Sequence, residues 1–409
     1  MPTEIPIGWT RTSLLEVASI ANGQVDPKAQ PFREWPLVAP NHIESGSGRL
    51  LSLETAADQG AISGKYRVQP GDVVYSKIRP YLRKVWLADR QALCSADMYP
   101  LQAGPDLDPG FLHALLLSDD FSRFAEGVSA RTGIPKINRV ELATYQAFIP
   151  PLPEQKKIAA VLASVDEAIQ ATEAVIEQTG RVKEGLLQDL LTRGIGHTRF
   201  KQTEIGEIPE SWEMQKISAL GLVDSGKAKN KRQSDPPRPY LRVANVLDDE
   251  IDASDVLTMP FSDEEFERWR LEPGDILLNE GQSLELVGRP AVYRGTPPNV
   301  AMQNALLRWR PDPSVVDPDY GYQVIRWLYG TGTFSQVATM TTSIAHLGLK
   351  RFAGIRVPVP PLAEQKQIAE TLTAVDRQRR EGEATTRRLS EVKAGLLQDL
   401  LTGAVRVAP

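Results

Sequence analysis

One long segment written twice constrains this chain more than any other feature. Residues 150–194 read PPLPEQKKIAAVLASVDEAIQATEAVIEQTGRVKEGLLQDLLTRG. Residues 360–403 read PPLAEQKQIAETLTAVDRQRREGEATTRRLSEVKAGLLQDLLTG, a shift of 210 positions. The tails GLLQDLLT at 185–192 and 395–402 are identical. A chain that carries the same segment in its middle and at its end is built as two halves.

The segment itself predicts a helix. The double proline bars helical backbone before it. Beyond Glu154 the residues Ile158, Leu162, Val165, Ile169, Thr172, Ile176, Thr179, Lys183, Leu186 and Leu190 recur in steps of four and three. That is a heptad pattern, and Val161, Ala168, Val175 and Val182 are expected to widen its stripe. A helix over residues 154–191 would be about 57 Å long and would stop at Gly194. Such a stripe needs a partner helix. The second copy supplies one, with Ile368, Leu372, Val375, Leu389, Leu396 and Leu400 in the same frame. Its middle, through Arg379, Gly382 and Thr386, is polar and is expected to be looser, with Gly382 costing about 1 kcal/mol relative to alanine. The plain alternative is a coiled-coil element for dimerisation alone.

The remainder of the chain repeats as well, which argues against that alternative. Residues 1–149 and 195–359 read as two strand-rich mixed domains, and 150–194 and 360–409 as helical spacers. Ile208-Pro209-Glu210-Ser211-Trp212 parallels residues 5–9, and LEPGDIL at 271–277 parallels VQPGDVV at 68–74 with a shift of 203. Residues 342–358 parallel 132–148 at a shift of 210. The connecting loops differ: KIRPYLRK at 77–84 stands where NEGQSLELVGR stands at 279–289.

A search for catalytic chemistry finds little. The four histidines, His42, His113, His197 and His346, have no metal-ligand spacing. No GxGxxG, GxxxxGK[ST] or GxSxG motif occurs. Asn279-Glu280-Gly281 lacks the Pro-Pro-aromatic continuation of an amino-methyltransferase. Asp235-Pro236-Pro237 continues with Arg238 instead of an aromatic. The single cysteine points to a reducing cytoplasm. No apolar run is long enough to span a bilayer, and the N-terminus lacks a signal-peptide pattern.

The loops hold the side chains of groove readout instead. Lys77, Arg79, Tyr81, Arg83 and Lys84 fall within eight residues; Lys227, Lys229, Lys231, Arg232 and Arg238 share one Gly/Ser/Pro-rich loop. Lysine and arginine neutralise phosphates, and arginine also pairs with guanine. Asn279, Gln282, Ser283 and Arg289 add amide and hydroxyl groups, asparagine and glutamine being the adenine readers. Arg131, Lys136 and His346 join them from the repeated stretches that close each half and from their edge. A solvated charged loop at 227–238 and a simple turn at 279–283 are the competing readings. The net charge of −5 argues mildly against unaided nucleic-acid binding.

The two PPLxEQK…LLQDLLT segments, with a PGD turn and a divergent loop in each half, resemble the specificity subunit of Type I restriction–modification systems along the whole chain. The resemblance implies an α+β fold: two similar mixed α/β target recognition domains separated by two long antiparallel coiled-coil helices, with a pseudo-twofold internal repeat. It implies a non-catalytic subunit whose recognition domains each read one half of a split, asymmetric site in double-stranded DNA. The helices would set the spacing between half-sites about 34–36 Å apart and dock two methyltransferase subunits. A cleaving complex would add two restriction subunits. The resemblance places no cofactor in this chain; S-adenosylmethionine, ATP and Mg would lie on the partners, in the cytoplasm and away from membranes. A self-contained DNA methyltransferase and a coiled-coil scaffold without a DNA role are the rivals.

Overall fold

The computed structural model describes residues 6–130, 133–229 and 234–407. The chain divides into two compact units, Met1–Ala174 with Glu383–Pro409, and Val175–Gly382. Each unit holds one strand-rich half, the start of one long helix and the end of the other.

The long helices span Leu152–Thr192 and Leu362–Thr402, the same positions of the repeat in both copies. Each ends at a left-handed glycine, Gly194 at φ 65° and Gly403 at φ 70°, the backbone state that closes helices and favours glycine. The paired segments run antiparallel inside each unit. In the first, Ile158 and Leu162 share a core with Leu400 and Leu401, and Lys393 meets Asp166 at 2.6 Å. In the second, Leu191 shares a core with Ile368 and Leu372, and Lys183 meets Asp376 at 2.5 Å.

The seam is narrower than the heptads suggest. Ile158, Leu162, Ile368, Leu372 and Leu400 are buried, while Val165, Ile169, Ile176, Leu186, Leu190, Val375, Leu389 and Leu396 are partly covered. Val175 and Val182 do not widen the stripe: both are exposed, and the contact line runs through buried Thr179 and Lys183. Nor is Gly382 a weak point. A Cβ there would lie 2.8 Å from Ile176 Cγ1, so its missing side chain is what leaves room for the Ile176 side chain.

The repeated Glu-Gln pair explains why the motif is written twice. Gln155 is buried; its Oε1 accepts the Asp108 N–H at 2.8 Å, and its Nε2 donates to the Asp106 and Pro150 carbonyls. Gln365 repeats this with Asp317 N–H, Val315 and Pro360. Asp108 and Asp317 in turn cap the helices Pro109–Leu117 and Pro318–Gly330. Glu154 accepts the Trp9 indole N–H at 3.2 Å and pairs with Arg406. Glu364 accepts from Trp212 at 3.0 Å and meets His197 at 2.8 Å. Each motif therefore locks a helix start to the strand-rich half beside it and to the turn after the other helix.

The halves share a sheet plan. In the first unit an antiparallel sheet runs Ala18–Ile20, Met98–Ala103, Val73–Ser76, Val85–Leu87. In the second it runs Gly221–Ser225, Leu306–Pro311, Ile276–Asn279, Pro290–Val292. The strands after each PGD turn are buried on both faces, so their alternate side chains enter different cores. Val73 and Tyr75 pack under the helices while Val74 packs toward a second sheet; Ile276 and Leu278 divide from Leu277 in the same way. The turns are alike too, with Gly71 at φ 91° and Gly274 at φ 99°. The side chains of Asp72 and Asp275 accept the Gln69 and Glu272 N–H groups at 2.8 Å. The PGD motif is thus a surface turn anchored by a buried aspartate, and it aims the strand and loop beyond it.

Candidate nucleic-acid interface

Beyond the PGD turn and its strand, each half builds a short ladder that joins two separate loops. In the first unit Ile78 bridges antiparallel to Lys136, the Arg79 N–H donates to the Pro135 carbonyl at 2.8 Å, and Ile137 N–H donates to Lys77 at 2.9 Å. In the second, Gly281–Gln282 pairs with Ala345–His346, Gly281 opposite His346, and Leu347 N–H donates to Glu280 at 2.9 Å. The two ladders are the same device. The loop after the PGD turn and the stretch before the closing helix stand apart in the sequence, and the backbone brings them side by side in both units.

The ladder separates presented side chains from internal ones. Arg79 and Lys136 are exposed, as is Tyr81 on the turn Pro80–Leu82. Lys77 donates to the Ala96 carbonyl at 2.6 Å and lies over the Tyr99 ring. Arg139, which sequence reasoning missed, lies over the same ring, exposed, and donates to Asn22 Oδ1 at 3.0 Å. Burial raises the Tyr99 hydroxyl above the usual tyrosine range, and the Arg139 cation partly offsets it. The only sequence signal for Arg139 is its place one residue after the capping Asn138, next to the repeated stretch.

Arg83 and Lys84 do not act as free cations. Arg83 pairs with Asp119 at 2.5 Å and Ser122 at 3.0 Å, and Lys84 donates to the Pro40 carbonyl at 2.7 Å. Both Arg79 and Arg83 take left-handed backbone, φ 49° and 46°, on either side of the turn that carries Tyr81. Left-handed non-glycine residues are uncommon and gather where a loop must aim a side chain. Here the Arg83 pair holds that turn.

Three second-half candidates make internal contacts. Lys227 is buried; it pairs with Glu265, donates to the Pro260 carbonyl at 2.9 Å and lies over the Phe261 ring. Asn279 is fully buried, its Nδ2 bound to the Val246 carbonyl at 3.1 Å, so it has no face to offer a base. Arg289 donates to that same carbonyl at 2.8 Å. All three sit on or beside sheet strands and give polar atoms to internal partners, as enclosed polar groups must. Arg238, from the same loop as Lys227, pairs with Asp263. Lys229 is exposed beside the Tyr240 ring, and Ser283 is exposed beside half-buried Gln282. His346, partly accessible, meets Glu280 at 3.1 Å. Arg131, Lys231 and Arg232 lie outside the described residues.

Among the described residues no group of histidine, cysteine and carboxylate side chains could hold a metal ion, and no helix is long and apolar enough to cross a membrane. The arrangement offers cations, a tyrosine and polar groups at loop tips on a rigid base.

Comparison with known proteins agrees with this layout. The family model described as Type I restriction modification DNA specificity domain matches twice, over residues 6–179 and 209–393. The EcoDI specificity subunit of the Type I restriction enzyme from Escherichia coli is 31% identical over 237 residues, covering 56% of this chain and 52% of that protein. The chain therefore spans about half the length of that relative. A putative MjaX specificity subunit from Methanocaldococcus jannaschii is 25% identical across 99% of this chain and 95% of its own. Among solved structures, a chain from work on assembly and conformational transition of the type I R-M system superposes with a TM-score of 0.62. It shares 19% identity and covers 99% of this chain and 100% of that one. The S subunit from M. genitalium gives 0.58 at 15% identity, over 98% of each chain. These structures share the fold. With both of its halves matched by the same family model, the chain belongs to the Type I restriction modification DNA specificity family.

Proposed function

We propose that the chain is the non-catalytic DNA-specificity subunit of a Type I restriction–modification complex. Each strand-rich half reads one part of a bipartite, asymmetric site in double-stranded DNA. The observation that carries this reading is the ladder found in both units: the same backbone pairing presents Arg79, Tyr81 and Lys136 in one half and Gln282, Ser283 and His346 in the other. Equal frames with unequal tips suit two different half-sequences.

Two methyltransferase subunits bind the helices in this reading, and a restriction subunit joins when the complex cleaves. The helix tails favour two copies of one partner, because their exposed residues repeat where the readers diverge. Val182 and Val392 are both exposed, as are Gly185 and Gly395, and Asp189 and Asp399. The unbroken course of each helix suits a spacer that fixes the distance between half-sites. S-adenosylmethionine, ATP and magnesium belong on the partner chains, and the complex works in the cytoplasm.

The deciding experiment deletes this chain in its host and maps methylated adenines across the genome. A split motif that disappears, and returns on complementation, supports the proposal. Persistence of every motif refutes it and leaves the coiled-coil scaffold. Binding of S-adenosylmethionine by the purified chain alone would instead favour a self-contained methyltransferase.

A further inference from the structure

Beside each ladder stands a pair of large apolar side chains left in water. Ile134 lies two residues before Lys136, and Ile344 two before His346, on the strand-like stretch closing each half. Tyr81 lies three residues beyond Ile78, and Leu284 three beyond Gly281, on the loop after the PGD turn. Their exposures are 51% for Tyr81, 64% for Ile134, 45% for Leu284 and 45% for Ile344. Lone exposed apolar residues are ordinary. Four that recur at the same two steps from the same rung of the ladder, in both units, are not scattered.

Resting on the DNA-reading function proposed above, we infer that these pairs, Tyr81 with Ile134 and Leu284 with Ile344, are apolar base-reading contacts, one pair for each half-site. Three observations point to a duplex as the occupant. Exposed Arg79 and Lys136 flank the first pair, as needed where phosphates border a groove. Tyr81 is carried on a turn closed at both ends by left-handed arginines and clamped by the Arg83–Asp119 pair. That is a costly way to show an aromatic ring to water unless something receives it. Finally, the frame and the isoleucine are constant while Tyr81 gives way to Leu284, as expected where the loop residue distinguishes two sequences. In the major groove such side chains meet the C5-methyl of thymine, which cytosine lacks.

The test uses the complete methyltransferase complex. Tyr81→Ala and Ile134→Ala, and separately Leu284→Ala and Ile344→Ala, are assayed on duplexes carrying each single-base change in each half of the site. The first pair should lose discrimination by about fivefold or more at one or two base pairs in one half only, and the second pair in the other half. Salt dependence should stay that of the wild type, because no charge is removed. For a thymine that is contacted, replacing it with deoxyuridine should weaken wild-type binding several-fold and leave the alanine variant unaffected. Unchanged discrimination in all four variants overturns the inference, as does loss spread evenly over both halves. If the wild-type complex shows no split motif, the DNA-reading function itself fails, a result distinguishable from an alanine scan with no effect. Circular dichroism and retained methyltransferase binding guard against misfolded variants.

Discussion

Replacing Gln365 with leucine tests whether the repeated motif is the joint between helix and reader. The amide is fully buried and makes three hydrogen bonds, with the Asp317 N–H at 2.9 Å and the Val315 and Pro360 carbonyls at 3.1 and 2.8 Å. Leucine matches its bulk but satisfies none of them. Each lost bond is worth about 1 kcal/mol, and a buried group left unpaired costs roughly 1–3 kcal/mol. With part of this offset by the more apolar side chain, Gln365→Leu should destabilise the second unit by about 3–5 kcal/mol. At an m-value of about 2 kcal/mol/M, the urea midpoint of that unit should fall by roughly 1.5–2.5 M. Tryptophan fluorescence of the full chain can follow it, since Trp212, Trp309 and Trp327 all lie in that unit's core. Gln155→Leu should destabilise the first unit by a similar amount. The double variant should add within about 0.5 kcal/mol, because the partners of each glutamine all lie within its own unit. A loss below about 1 kcal/mol at Gln365 would refute the joint.

Four further outcomes are expected. Gly382→Ala raises helix propensity by about 1 kcal/mol, yet should destabilise the chain in denaturant titrations because its Cβ meets Ile176 Cγ1 at 2.8 Å; adding Ile176→Ala should restore the gain. His113 has a pKa depressed to about 4, chiefly by burial and then by Lys393, against the opposing pull of the Val85 carbonyl and Asp166. As pH falls the unfolded chain takes up this proton first, so the contribution is full above about pH 6.5 and is lost progressively toward pH 4, by up to about 3 kcal/mol. His113→Gln should flatten the stability profile across that window. Lys227→Met should leave the salt slope of DNA binding unchanged while costing about 1–3 kcal/mol of stability, because it removes the buried ammonium's hydrogen bonds to Glu265 and the Pro260 carbonyl. Arg79→Ala and Lys136→Ala should each lower that slope by about 1 without unfolding the chain.

The duplication, the helices and the family were legible in the sequence because they rest on local rules. Proline bounds, heptad spacing and the PGD turn depend on residues near one another, and a repeat at a fixed shift needs no structure to be seen. The role of the Glu-Gln pair was hidden, since Gln155 and Gln365 act on carbonyls and N–H groups nearly fifty positions away. The reading face was half visible. Residue type nominated Lys227, Asn279 and Arg289 as readily as Arg79 and Lys136, and only tertiary burial and internal hydrogen bonds divided them. A polar side chain enclosed by a sheet must satisfy itself internally, whereas one at a ladder tip remains free for a partner. Ile134, Ile344 and Leu284 carry no signal in a linear reading because apolar residues are usually core. It took the fold to leave them in water, beside matching rungs of two ladders that join loops far apart in the chain.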